Sequence, residues 1–288
     1  MISAPKPGWY ARLQGDGVDL DDWRHSLNEP FDPVAEKLPD GETVLRSADF
    51  EELEDASEVR ERALVLIGRL NGALSIWNGT RPVKFGGVIR IDDEGKQHAW
   101  VFGEMAAIEL GRFVLRATAV LLGPDGKPLP PPPPTPSQPQ KWNLVAEKND
   151  DVSDLLDHFG RADNWHDIYK TIEIAEHLAG SEHKLWKILG SDARLAKNLR
   201  TSANYYRHAK AYRPPKLLSL KEARPLLVHL AIPAPRPMLT ADRSFGHGSK
   251  SRDVDGSAAP IRSGSRSLFA LAPVCCAKRS PALGRSNP

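Results

Sequence analysis

Apolar residues recur at the α-helical period between positions 59 and 77. Val59, Leu66, Leu70, Leu74 and Trp77 share one face, and Gly79 stands just beyond as a stop. The spacing predicts one long helix, entered through the acidic block Asp49–Glu61, whose carboxylates suit a helix amino terminus. Strand-like runs surround it. Trp9–Leu13 and Glu42–Ser47 come before, separated by a polar, Pro-containing loop. Phe85–Ile91 and His98–Phe102 follow, flanking the turn Asp92-Asp93-Glu94-Gly95, and Arg112–Leu122 is a third candidate. The order β-β-α-β-β-β predicts an antiparallel sheet carrying one long helix.

Beyond position 123 the pattern changes twice. Pro130 to Pro134 is an unbroken run among further prolines. Such a run adopts polyproline II, so residues 124–140 read as a stiff linker, with a ligand for an aromatic-grooved partner as the alternative. Residues 141–231 are then purely helical in pattern. Val152–Phe159, Trp165–Leu178 and Ser181–Leu189 each end at or just before a glycine, and Asp192–Ala209 stops before Pro214-Pro215. A capping box, Ser219 to Glu222, opens a last helix bearing Leu226, Leu227 and Leu230, with Pro225 in its first turns. Residues 232–288 are rich in Ser, Pro, Gly and Ala, contain no Glu, and read as a disordered tail. The expected class is α+β: an N-terminal domain over 1–123, the linker, a small all-α bundle over 141–231, and the tail.

The formal net charge of +2 conceals an uneven distribution. Residues 1–123 carry 14 Lys and Arg against 21 Asp and Glu, whereas residues 232–288 carry 9 against 3. No apolar run approaches the ~18–20 residues of a membrane span, so no membrane partner is expected. Met1–Gly17 holds no hydrophobic core of a secretory signal. The only cysteines, Cys275 and Cys276, are adjacent. They offer no disulfide framework and no cysteine zinc site, and read as free thiols of a cytoplasmic, bacterial-style protein. Dinucleotide, phosphate-loop, serine-hydrolase and zincin motifs are absent, and neither cofactor nor metal is expected.

Candidate chemistry concentrates on the helix 192–209. Lys197, Arg200, Asn204, Arg207 and His208 fall within roughly a third of the helical circle, with Leu195, Leu199, Ala203 and Tyr206 on the packing side. From Gly190 to Arg224 there are nine Lys and Arg against Asp192 and Glu222, with Tyr205, Tyr206 and Tyr212 interleaved. Clustered cations attract phosphates, aromatic rings stack bases, and an imidazole can move a proton near neutral pH. Lys197, Arg200, Asn204, Tyr205, Arg207 and Lys210 are therefore candidate nucleic-acid contacts, RNA rather than DNA. His208, Arg200 and Arg207 are candidate catalytic groups. The plain alternative is a solvated basic face. A second stripe, His166, Lys170, Glu173 and His177, offers at most two ligands toward a metal, and a polar surface stripe is its default reading.

Asp163-Asn164-Trp165-His166-Asp167-Ile168-Tyr169-Lys170-Thr171-Ile172-Glu173, followed by Thr201-Ser202-Ala203-Asn204, Arg207-His208-Ala209, Pro214-Pro215 and Leu220-Lys221-Glu222-Ala223-Arg224, resembles a widespread uncharacterised bacterial family with a small helical domain. More loosely, it resembles the HEPN-type helical domains of prokaryotic defence and toxin systems. That resemblance implies a metal-independent ribonuclease using an Arg-x4–6-His motif. Here seven residues separate Arg200 from His208, Arg207 and His208 are adjacent, and Arg161 and His166 have the family spacing. Two expectations follow. One is a binding or regulatory protein whose basic helical module contacts a nucleic acid or a protein partner. The other is a HEPN-type ribonuclease with His208 as acid and base.

Overall fold

Five strands form one antiparallel sheet in the order β2-β3-β1-β4-β5, and eight α-helices accompany it among the described residues. The structure, a computed structural model, describes residues 5–102, 133–190, 193–208 and 216–231. The expected strand Arg112–Leu122, most of the Pro-rich segment, Lys210, Tyr212, both cysteines and the tail 232–288 lie outside the described residues. The fold is α+β, as the element pattern predicts.

The central strand β1 (Gly8–Gln14) is paired along both edges, with β3 (Thr43–Arg46) and β4 (Lys84–Ile91), and buries side chains on both faces. Trp9, Ala11 and Leu13 point into the larger core of this half, while Tyr10 joins Leu38, Val44, Ile89 and Ile91 in a separate cluster. The register slips between Arg12 and Leu13, opposite Gly86-Gly87. Gly87 has φ +132°, and a side chain there would meet the Trp100 carbonyl oxygen at 2.6 Å, so the bulge requires glycine. The edge strand β5 (Gln97–Trp100) pairs with β4 through the predicted turn.

The stretch read as a polar loop before Glu42 contains two elements, α1 (Gly17–Ser26) and β2 (Val34–Lys37). Helix α1 escapes a periodicity reading because acidic residues occupy part of its buried side. Asp22 accepts a hydrogen bond from Thr80 Oγ1 at 3.0 Å, and Asp19 accepts one from the Arg81 backbone N–H at 2.9 Å. Long-range polar contacts, together with Trp23 buried in the sheet core, hold this helix in place of a full apolar stripe. Strand β2 has only four residues and gains its register from β3.

Helix α2 (Ala56–Asn78) is capped by Asp55, which accepts from the backbone N–H of Ser57 and Glu58, and ends at Gly79 with φ +75°. It serves two cores. Val59, Ala63, Leu66, Leu70 and Leu74 face the sheet side, whereas Ala73 and Ile76 pack with the helices that follow. Trp77, expected on the packed face, is 55% exposed, because the helix ends there beyond both cores. Helices α2 and α4 (Asp150–Gly160) cross in backbone contact at Gly72 and Gly160.

The helical portion begins earlier than expected, with α3 (Gln138–Ala146), whose first turn lies in the stretch read as linker. Ser137 and Gln140 form a capping box and Pro139 sits in the first turn, where a missing N–H costs nothing. The same Gln140 amide donates to the carbonyls of Asn28, Phe31 and Pro33 at 3.0–3.1 Å, tying α3 to the loop before β2. Helices α5 (Trp165–Leu178), α6 (Glu182–Leu189), α7 (Ala193–His208) and α8 (Leu220–Ala231) complete the arrangement, and the Ser219–Glu222 capping box forms. All described residues fall within one compact unit. The segments on either side of the expected linker share the Ala73–Trp142–Leu156 core. No helix among the described residues is long and apolar enough to cross a membrane.

Candidate functional site

Helix α7 presents its polar face because a stripe of small and apolar residues, Ala196, Leu199, Ser202 and Ala203, is buried. This stripe differs from the expected one. Leu195 and Tyr206, assigned to the packing side, are 42% and 43% exposed. The helix is rotated so that small side chains lie against its neighbours, which brings helix backbones closer than Leu and Tyr would allow. Ser202 is satisfied in this position: its hydroxyl donates to the Asn198 carbonyl and accepts the Leu218 N–H at 2.9 Å, fixing α7 to the segment leading into α8.

The predicted cations part company here. Arg200 is held between Glu176 at 2.5 Å and Glu182 at 2.9 Å, joining α5, α6 and α7. Burial pushes the Glu176 carboxyl above its ordinary value; Arg200 works against this, while Glu182 and Glu173 reinforce it. Arg200 thus neutralises carboxylates of its own fold. Lys197 is exposed and Asn204 half-buried on the same helix. Arg207 and His208 are exposed in the last turn, and the Arg207 Nε–H donates to His208 Nε2 at 3.1 Å. Arg200 and His208 are eight residues apart, about 12 Å along the axis, and do not converge on one point.

Aromatic residues gather around Arg207. Its guanidinium lies 3.8 Å from the centre of the Tyr169 ring, a cation–π arrangement. Tyr206 stacks on Trp165 with ring centres 4.7 Å apart and planes 16° apart, and Tyr205 meets Tyr206 edge-on at 5.3 Å. The first turn of α5 and the last turn of α7 therefore build a surface of Trp165, Tyr169, Tyr205, Tyr206, Arg207 and His208. Helical spacing alone does not mark Trp165 and Tyr169, and it assigns Tyr206 to the packing side. The rings at i and i+4 on α5 are a signal of a shared face, but nothing in the sequence says that α7 comes to lie beside them.

The second stripe, on α5, is occupied internally. Lys170 binds Glu173 at 3.0 Å, and His177 approaches Asp151 of α4 at 3.3 Å. Burial acts to raise the Glu173 carboxyl, but hydrogen bonds from Lys170 and Tyr169, with the nearby charges of Lys170 and Arg207, hold it below its ordinary value. Among the described residues no three His, Cys, Asp or Glu side chains are grouped so as to hold a metal ion. His158, at the end of α4, meets Asp167 at 2.8 Å. Arg161 follows α4 and pairs with Asp157 at 2.7 Å, while His166 is exposed in the first turn of α5.

Compared with protein-family models, curated proteins and solved structures, the chain matches none of them.

Proposed function

We propose that the protein is a non-catalytic nucleic-acid-binding protein whose α5–α7 surface takes single-stranded RNA. The observation that supports this most is the stack of the exposed Tyr206 on the half-buried Trp165, beside the exposed Arg207 and His208. Single-stranded nucleic acids offer flat bases and a regular row of phosphates. A ring platform flanked by cations suits both, and each stacked base is worth about 1–3 kcal/mol. Arg207 is already stacked on Tyr169 and keeps guanidinium hydrogens for phosphate oxygens. Lys197 adds a solvated charge on the same helix.

The ribonuclease reading asks Arg200 or Arg207 to stabilise phosphate charge while His208 moves the proton. Arg200 is committed to Glu176 and Glu182, which leaves only the Arg207–His208 pair for that chemistry. Binding is therefore the better supported reading. The test is fluorescence anisotropy of the full chain with a labelled single-stranded RNA. Tyr206→Ala should weaken binding about tenfold, and Arg207→Gln should flatten the salt dependence by roughly 0.7 in log–log slope, one single-strand phosphate contact. No binding at low salt would overturn the proposal. Cleavage of that RNA in the presence of a chelator, lost in His208→Ala, would establish the ribonuclease instead.

A further inference from the structure

A second polar site lies where α2, the start of β4, the α4–α5 junction and α8 meet, around a cleft of about 680 Å³. Its charged lining consists of Arg81, Lys84, Arg161 and Arg224 against Asp163 and Asp167. Both carboxylates sit at the α4–α5 junction, and Asp167 is already taken by His158 and by the Asn164 amide at 2.7 Å. Arg161 is itself paired with Asp157 at 2.7 Å, so the charges set against Asp163 are chiefly those of Lys84 and Arg224.

Arg224 is the unusual group. Its side chain passes over the Phe159 ring at 5.8 Å, donates from Nη1 to the Ala162 carbonyl at 3.0 Å and from Nη2 to the Ser75 hydroxyl at 3.2 Å. These neutral partners fix the guanidinium across three helical elements without supplying a counter-charge. Burial pushes its proton affinity down from the ordinary arginine value, with Asp163 giving only a partial offset. A half-buried guanidinium anchored this way is normally paired with a carboxylate. The Ala162 and Ser75 contacts use two of its N–H groups, and the fork has further donors on the cleft side.

Lys84 is positioned from the other side. Asn71, buried in α2, accepts the Val83 N–H at 2.8 Å and donates to the Val83 carbonyl at 2.9 Å, which pins the residue preceding Lys84. The Lys84 side chain is exposed and opens on the cleft. No aromatic ring lines the cleft among the described residues, so it offers no platform for a base. The lining is otherwise largely polar, which suits a hydroxylated body, and the volume falls in the range of small-molecule sites.

We propose that this cleft binds a phosphorylated sugar, its phosphate held by the Arg224 fork and the Lys84 ammonium. A fork donor and a point charge from two different elements are a common way of holding a phosphate. The cleft borders the RNA surface at the start of α5 but includes none of the rings or cations named there, and its test stands apart from that reading.

The experiment is calorimetric titration of the full chain, in a phosphate-free buffer, with ribose 5-phosphate, with inorganic phosphate and with ribose. Saturable binding of ribose 5-phosphate, competition by inorganic phosphate and no binding of ribose are expected. Lys84→Gln and Arg224→Gln should each weaken binding by about tenfold or more, with Arg224→Lys in between. Arg207→Gln should leave it unchanged. Lys84 is exposed, so Lys84→Gln keeps the test decisive should Arg224→Gln not fold. Absence of saturable ribose 5-phosphate binding, or binding within twofold of the unaltered chain in Lys84→Gln, would overturn the proposal. So would a loss in Lys84→Gln confined to single-stranded RNA, which would make the cleft part of a nucleic-acid path.

Discussion

Replacing Gly72 with alanine would place a methyl carbon 1.9 Å from the Leu156 carbonyl oxygen, 2.6 Å from the carbonyl carbon and 3.0 Å from its Cα. All three atoms are backbone of α4, so no rotamer change relieves the clash. The two helices must separate by roughly 1.5 Å to reach van der Waals distance. That separation opens the core formed by Ala73, Ile76, Leu155, Leu156 and Phe159. Overpacking of this kind costs about 1–3 kcal/mol, and more where only backbone can yield. Alanine returns about 1 kcal/mol of helix propensity. The net expectation is a loss of about 2 kcal/mol or more. With a urea dependence of ~2–3 kcal/mol per molar, the unfolding midpoint followed by circular dichroism should fall by about 0.7–1 M. Gly17→Ala is the control, since no atom lies within 4 Å of a Cβ there, and it should stay within about 0.5 kcal/mol. A Gly72→Ala protein as stable as that control would refute the close crossing of α2 and α4.

Tyr10 has no exposed surface and donates its hydroxyl to the Lys6 carbonyl at 2.5 Å; burial first, then the Glu36 charge, push its phenol up to about 12. The neutral form is favoured in the fold, so its contribution is complete below the ordinary tyrosine value of 10.0 and is lost as pH rises from there toward 12, on the order of 3 kcal/mol in all. Ultraviolet titration of the five tyrosines should show one ionising late, and the late component should vanish in Tyr10→Phe; five tyrosines titrating together near 10 would contradict this burial. Arg200→Gln should cost about 1–2 kcal/mol after allowance for solvent screening, because it leaves Glu176 beside Glu182, whereas Lys197→Gln should stay within about 0.5 kcal/mol. Equal midpoints for these two variants in urea would show that the Arg200 ion pairs contribute nothing.

Local signals carried much of this fold. The period from Val59 to Leu74, the Gly79 stop, the turn ending at Gly95 and the Ser219–Glu222 capping box depend on residues a few positions apart, and the backbone follows them. Helix α1 and strand β2 were not legible in this way. One is held by Asp19 and Asp22 bonding to residues around position 80, and the other by pairing with β3. The candidate site divides along the same line. That α7 carries a polar face with Arg207 and His208 was readable from helical spacing. Which of its cations are free was not, because Glu176 and Glu182 reach Arg200 from two other helices. Nor was the aromatic surface, because Trp165 and Tyr206 are forty-one positions apart and meet only when α5 and α7 pack. The Arg224 cleft is assembled from still more distant segments, with Ser75 and Arg224 149 residues apart in the chain. Elements whose stabilising partners lie within a turn or two can be read from the residues alone. Which charges are neutralised, and which rings and cations share a surface, follows from how the helices pack, since Coulombic and stacking energies depend on distance in space, not along the chain.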